Sequence, residues 1–224
     1  MRFISVTLVS SALIAAAPAA RATDAAAQPA YCTLEGLKAT EKTEEAGRLK
    51  RMRVFQLGQV IVAGLGVGDS EAVSVKKLAS KYSNASAAQK YCTWYVNDGN
   101  DGAKRAFNWR YVSKPMDSDD VGEYLAKLGP VFAENAVNMM KCAEQQRFIA
   151  MGCNGMKHRG PTLFGMLLAY SGCDPKAATR AVNSIWGLNG VDAGVRAAII
   201  KKAYELGEKN PEARERLQAQ LAPN

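Results

Sequence analysis

Histidine is nearly absent from this sequence: His158 is the single one among 224 residues. A Ser-His-Asp mechanism needs a histidine base, so one histidine leaves no alternative base and excludes most such schemes. Two cofactor motifs are missing as well. Gly64 and Gly66 are followed by Asp69 at the position where a dinucleotide fingerprint needs its third glycine. No paired C-x-x-C spacing indicates a zinc site.

Alternating apolar and polar residues, the pattern of half-buried strands, are also scarce. The nearest case is VFQLGQVIVAGLGVGD (54–69), which superficially resembles a strand that runs into a glycine-rich phosphate loop. Because no repeated strand–helix units follow, we interpret it as the buried end of a long helix that begins near Thr33 and ends at the glycines. The segment is too short and too polar to span a bilayer, which takes about 20 apolar residues.

The turn and capping residues that are present favour helices. Asp174 and Asn210 each stand directly before a proline, which is typical of a helix N-terminus. We also expect an antiparallel pair of helices, one from Pro130 to about Met151 and one from Pro161 to about Gly172. The predicted fold class is all-α: a compact disulfide-braced helical bundle of about six to eight helices.

The N-terminus has the features of a cleavable leader. Arg2 precedes a short apolar stretch (3–17), and Ala20-Arg21-Ala22 matches the A-x-A cleavage pattern. We therefore predict a periplasmic or secreted bacterial protein. The predicted organisation is a signal peptide at 1–22 and a single helical domain at 23–224, with subdomains at 31–115 and 117–222 as a finer division.

The net charge is +8, and it falls to +6 when Arg2 and Arg21 leave with the leader, since 8 − 2 = 6. A basic protein of the cell envelope meets anionic partners readily, such as lipid headgroups or acidic protein faces. We expect an envelope protein or an anionic envelope component as partner, with peripheral membrane contact as one form of it. Nucleic acid is not expected in that compartment.

Five cysteines in an oxidising compartment predict two disulfides and one unpaired thiol. If helix runs through most of the gap between Cys142 and Cys153, their Cα atoms lie more than about 10 Å apart, beyond the reach of a disulfide. The helix pair would bring Cys173 back to Cys142, and Cys32 would pair with Cys92. Cys153 is then the free cysteine.

The turn CNGMKHRGP around Cys153 carries the candidate chemistry. We predict no obligatory cofactor for this protein. Cys153, Met156 and His158 are the ligand types that Cu(I) prefers, and Zn(II) accepts the first and last of them. Cys153 with His158 as base would alternatively make a thiol enzyme. The alternative to both is a purely structural role. Met156 would then fill the core, and His158 would lie on the surface beside Lys157 and Arg159.

The function we expect from the sequence is a non-catalytic one. A basic helical domain with two disulfides is compatible with an exported protein that binds another component of the envelope. Such a protein would be a secretion or surface-assembly accessory, an adaptor or an inhibitor. The turn would then be a presented loop, with Lys157, His158 and Arg159 as the contacts to an acidic partner. Soft-metal binding and thiol catalysis are the two alternatives.

Overall fold

A computed structural model describes residues 28–42, 50–66, 81, 93–96, 137–145, 147–153, 155–157, 159–188 and 193–223. The predicted signal peptide, Cys92 and His158 lie outside these residues. In the described part no helix is both long enough and apolar enough to cross a membrane.

Five strands form one mixed sheet in the order β1-β2-β3-β5-β4. The first three are antiparallel neighbours, whereas β5 runs parallel to both β3 and β4. Their bounds are β1 (Ala39–Lys42), β2 (Lys50–Leu57), β3 (Val60–Gly66), β4 (Thr93–Val96) and β5 (Phe148–Cys153).

A tight turn at Gly58 and Gln59 joins β2 to β3. Gly58 has a φ of 53°, in the left-handed region that glycine adopts without a steric penalty. Five of the seven residues of β3 run buried without a break, and the strand lies between β2 and β5. Segment 54–66 is therefore a hairpin, and our interpretation of it as the end of a long helix is wrong.

Helices supply the rest of the described chain. Residues 137–145 are helical and are called α1. The others are α2 (Arg159–Tyr170), α3 (Pro175–Trp186), α4 (Ala193–Lys209) and α5 (Pro211–Leu221). The helix starts predicted at the two prolines agree with α3 and α5. The Asp174 carboxylate caps α3 by accepting a hydrogen bond from the Ala177 N–H at 2.8 Å.

Helix α2 lies at the centre of the molecule. It follows β5, contacts β3 and β5, and packs against α3 and α4 on its other side. Every residue from Gly160 to Tyr170 is buried, so this helix is apolar all round. Phe55 of β2, Phe164 of α2 and Trp186 of α3 join the layers, with the Phe164 ring 4.9 Å from Phe55 and 5.2 Å from Trp186 between centroids.

The all-α prediction is wrong, because the chain has an α/β fold. The clearest cause is β5, whose six residues FIAMGC are all buried. A strand covered on both faces reads as a continuous apolar run and has no alternation to reveal it. We assigned this run to the helix predicted to reach Met151, whereas α1 ends by residue 145 in the described part.

The predicted cysteine pairing is also wrong. Cys32 is bonded to Cys173, with 5.3 Å between their Cα atoms, rather than to Cys92. Cys142 is in a disulfide too, but not with Cys173. The helix predicted through Met151 is what placed Cys142 beside Cys173. The actual bond fixes the short 3₁₀ turn Ala30–Cys32 to the C-terminal end of α2, where the Tyr31 hydroxyl also donates a hydrogen bond to the Ser171 carbonyl at 2.9 Å.

Candidate functional site

The carboxyl ends of three parallel strands meet at one edge of the sheet. Gly66 of β3, Cys153 of β5 and Val96 of β4 lie in one row of the register, so Cys153 ends the middle strand. In open α/β sheets, ligands bind outside the carboxyl ends of the strands. The one cysteine that is free among the described residues therefore stands at the edge where such folds hold their ligands.

Five residues separate Cys153 from Arg159, the first residue of α2, and the structure describes 155–157 among them. We call this segment the Cys153 loop. The first backbone N–H groups of a helix have no partner within the helix, and they carry the positive end of the helix dipole. Strand–loop–helix connections of this kind bind phosphate and other anions. Lys157 is exposed and Arg159 half-buried, so two cationic side chains belong to the same connection.

The first turn of α2 packs closely against the strand end. A Cβ atom added to Gly160 would lie 3.3 Å from the backbone nitrogen of Cys153 and would overlap the Met156 sulfur. The first turn of α2 therefore contacts the main chain of Cys153. Gly152 is needed for a similar reason, since a side chain there would overlap the Leu65 carbonyl of β3.

Cys153 itself is 5% exposed and belongs to the hydrophobic core cluster. The sequence argument that this cysteine is left without a disulfide agrees with its state here. Its environment differs from the expected one. We predicted the exposed tip of a helical hairpin, whereas Cys153 ends a central strand and precedes a helix N-terminus.

Met156 is fully buried, with its side chain between two glycines. Its Cε atom lies 2.9 Å from the position that a Cβ on Gly64 would take, and its sulfur fills the space that a side chain on Gly160 would need. The Trp186 ring lies against Gly64 as well, and the Trp186 indole N–H donates to the Arg51 carbonyl at 3.0 Å. This packing is the core-filling role that we weighed against metal binding.

The proposed metal ligands are only partly described. The backbone nitrogen of Cys153 and the sulfur of Met156 both lie close to Gly160, and His158 is outside the described residues. Across the described ranges, no group of three or more His, Cys, Asp or Glu side chains is placed to hold a metal ion. Binding of Cu(I) or Zn(II) stays a prediction.

A second basic surface lies between α3 and α4, outside the Cys153 loop. It is a groove of about 670 Å³ with the adjacent Ala197 and Ala198 in its lining. Three cationic side chains, all exposed, line it: Lys176, Arg180 and Lys201. Asp174 also lines the groove, with its carboxylate engaged in capping α3.

Sequence reasoning singled out the turn but missed the relation between Cys153 and Arg159. The signal that would have revealed it is the buried run FIAMGC directly before Asn154-Gly155, which is typical of a strand followed by a turn. With the strand recognised, the thiol and the guanidinium stand at the two ends of a strand-to-helix loop. No protein-family model, curated protein or solved structure matches this chain.

Proposed function

We propose that this chain hydrolyses phosphate monoesters, with Cys153 as nucleophile and Arg159 as phosphate ligand. One observation carries the proposal. The unpaired thiol ends the central parallel strand, and the arginine that directly follows the five intervening residues begins the next helix. A nucleophile and an anion-binding helix end are thereby joined by one short connection.

The residues of this connection suit a phosphoryl group better than an acyl group. A phosphate monoester is a dianion with oxygens that accept several hydrogen bonds, and helix N-terminal N–H groups together with a forked guanidinium supply such donors. An amide or ester carbonyl is neutral in the ground state and has no comparable need of Arg159. Peptidase or transpeptidase chemistry with His158 as base stays a prediction from the sequence.

The reaction takes place in two displacements. The Cys153 thiolate attacks phosphorus, an S–P bond forms as the P–O bond to the alcohol breaks, and the leaving oxygen takes a proton from water. Water then attacks phosphorus and the S–P bond breaks. The products are the alcohol, inorganic phosphate and the regenerated thiolate, with one water consumed in sum. Arg159 and the first N–H groups of α2 hold the phosphoryl oxygens as charge develops on them.

The proposal is tested by hydrolysis of p-nitrophenyl phosphate. We expect Cys153→Ser to abolish turnover and Arg159→Ala to lower kcat/KM by about 100-fold or more, as loss of a preorganised donor does. Arg159→Lys keeps the charge but loses the fork, so it should recover only part of the activity. Arg180→Ala, which removes an exposed arginine from the α3–α4 groove, is the matched control and should leave turnover unchanged.

Access to the sulfur is measured in the same experiment. Because Cys153 is 5% exposed, the rate at which iodoacetate modifies it in the native protein decides whether a small anion reaches it. We expect inorganic phosphate to slow this modification by occupying the same loop. A thiol that reacts only after denaturation would contradict the proposal.

The predicted leader leads us to propose that the reaction takes place in the periplasm. The supporting features are those of residues 1–22: Arg2, the apolar stretch and the A-x-A pattern before Thr23. N-terminal sequencing of the protein recovered from the periplasmic fraction should begin at Thr23. Recovery of uncleaved chain from the cytoplasm alone would contradict this.

The groove between α3 and α4 favours a second, non-catalytic role: binding of the anionic envelope partner expected from the sequence. Three exposed cations around a concave surface floored by small residues are complementary to an acidic partner. Reversing the charge of Lys176 and Lys201 to Glu should abolish retention of the protein on anionic vesicles of phosphatidylglycerol at low salt. The control reverses two exposed lysines outside the groove, Lys42 and Lys209, so that both variants change the net charge equally. Equal loss in the two would attribute binding to net charge alone.

A further inference from the structure

Met156 occupies an unusual position for a core side chain. Its backbone has a φ of 49°, in the left-handed region, where a residue with a Cβ is uncommon and disfavoured. The side chain is nonetheless fully buried. A left-handed residue in a short loop is normally glycine, so the packing of this side chain must offset the backbone cost.

The packing is provided by glycines from two different elements. Gly64 of β3 and Gly160 of α2 both lie where any added Cβ would collide with Met156. Gly64 is in addition pressed against Trp186, with only 2.5 Å between its would-be Cβ and the Trp186 Cζ2 atom. The thioether thus connects the strand next to β5 with the first turn of α2, across the loop that begins at Cys153.

We infer that Met156 is a positioning residue for the first turn of α2. Its side chain is a wedge that fills the space between Gly64 and that turn, and so sets the N–H groups of the turn relative to Cys153. The inference rests on the proposed role of Cys153. It assigns to Met156 a part in the thiol chemistry that requires neither metal binding nor contact with the substrate.

The test compares Met156→Ala with Met156→Leu. Both replacements keep a Cβ, so the left-handed backbone is no easier or harder to adopt and only the wedge changes. We expect Met156→Ala to lower kcat for p-nitrophenyl phosphate by about 100-fold, the scale of a misplacement of about 1 Å in a reacting group. Met156→Leu, which keeps a similar volume, should restore most of that loss.

Met166→Ala is the matched control, because Met166 is a buried methionine of α2 that lies two turns beyond the loop. It removes the same atoms from the core, so it reports what general loosening does to turnover. We expect it to lower the melting temperature as Met156→Ala does while leaving kcat close to that of wild type. Equal loss of kcat in the two alanine variants would overturn the inference.

Protection of Cys153 separates failure of this inference from failure of the proposed function. Inorganic phosphate should slow modification of Cys153 by iodoacetate in wild type and in Met156→Leu, and should do so much less in Met156→Ala. Equal protection in all three proteins would overturn the positioning role while leaving the anion site intact. Absence of protection in wild type would overturn both.

Discussion

The bond between Cys32 and Cys173 gives a prediction whose magnitude follows from the chain. The two cysteines are 141 residues apart. Closing a loop of that length restricts the unfolded chain and raises its free energy by about 5 kcal/mol at 25 °C. Cys142 is in a disulfide as well, so the unfolded chain is already restricted in part. We therefore expect loss of the bond to lower the free energy of unfolding by about 2–5 kcal/mol.

The assay is a double-mutant cycle followed by urea unfolding. Cys32→Ser, Cys173→Ser and the double variant are made in a Cys153→Ser background, so that the Cys153 thiol cannot react with the cysteine that each single variant leaves unpaired. Because both single variants remove the same bond, all three should lose about the same stability, and the double variant should lose little more than either single. If Cys32 and Cys173 were bonded to different cysteines, the double variant would lose two bonds and about the sum of the two single losses.

Two further predictions concern the ends of α3 and α2. Asp174→Ala removes the cap of α3 and should cost about 1 kcal/mol in urea unfolding. Asp174→Asn keeps a side-chain oxygen that can accept the same hydrogen bond and should cost less, so equal losses in the two variants would contradict the capping role. Burial raises the pKa of the Tyr31 hydroxyl above its ordinary value of 10.0, so the neutral form is favoured on folding and its contribution is complete below pH 10.0. The stability difference between wild type and Tyr31→Phe should be about 1 kcal/mol there and shrink as pH rises through the folded pKa; a difference that grows with pH would contradict this.

Local signals in the sequence predicted the C-terminal helices well. Asp174 stands before a proline and caps a helix that begins where expected, and α5 likewise begins at the proline that follows Asn210. These features depend on backbone groups within one turn, which the nearby residues decide. The start of a helix can therefore be predicted without knowledge of what packs against the helix.

The sheet was missed because its central strands carry no local pattern. In β5 both faces are covered, so all positions are apolar, and the run is as compatible with a buried helix as with a strand. In β2 and β3 the Gly58 turn was the available signal, and we assigned its glycine to a helix interior. Whether such an apolar run forms a buried helix or a buried strand is decided by its pairing with strands that are distant in the sequence.

The site was missed for the same reason. We predicted that Cys153 and its neighbours carry the chemistry of the chain, but the helix predicted through Met151 placed them at the tip of a hairpin. Ending a strand at Cys153 changes the interpretation of each neighbour: the chain leads directly into a helix N-terminus, Arg159 becomes a proposed ligand for an anion, and Met156 becomes a proposed wedge. One misassigned element therefore altered both the disulfide pairing and the function.

The central claim, that Cys153 attacks a phosphoryl group, is tested most directly by trapping the covalent intermediate. The protein is mixed with p-nitrophenyl phosphate, quenched at once under conditions that preserve an S–P bond, digested and analysed by mass spectrometry. We predict a phosphoryl group on the peptide that contains Cys153 in wild type and none in Cys153→Ser. Turnover by Cys153→Ser at the wild-type rate, or a phosphoryl group on any other residue, would contradict the account.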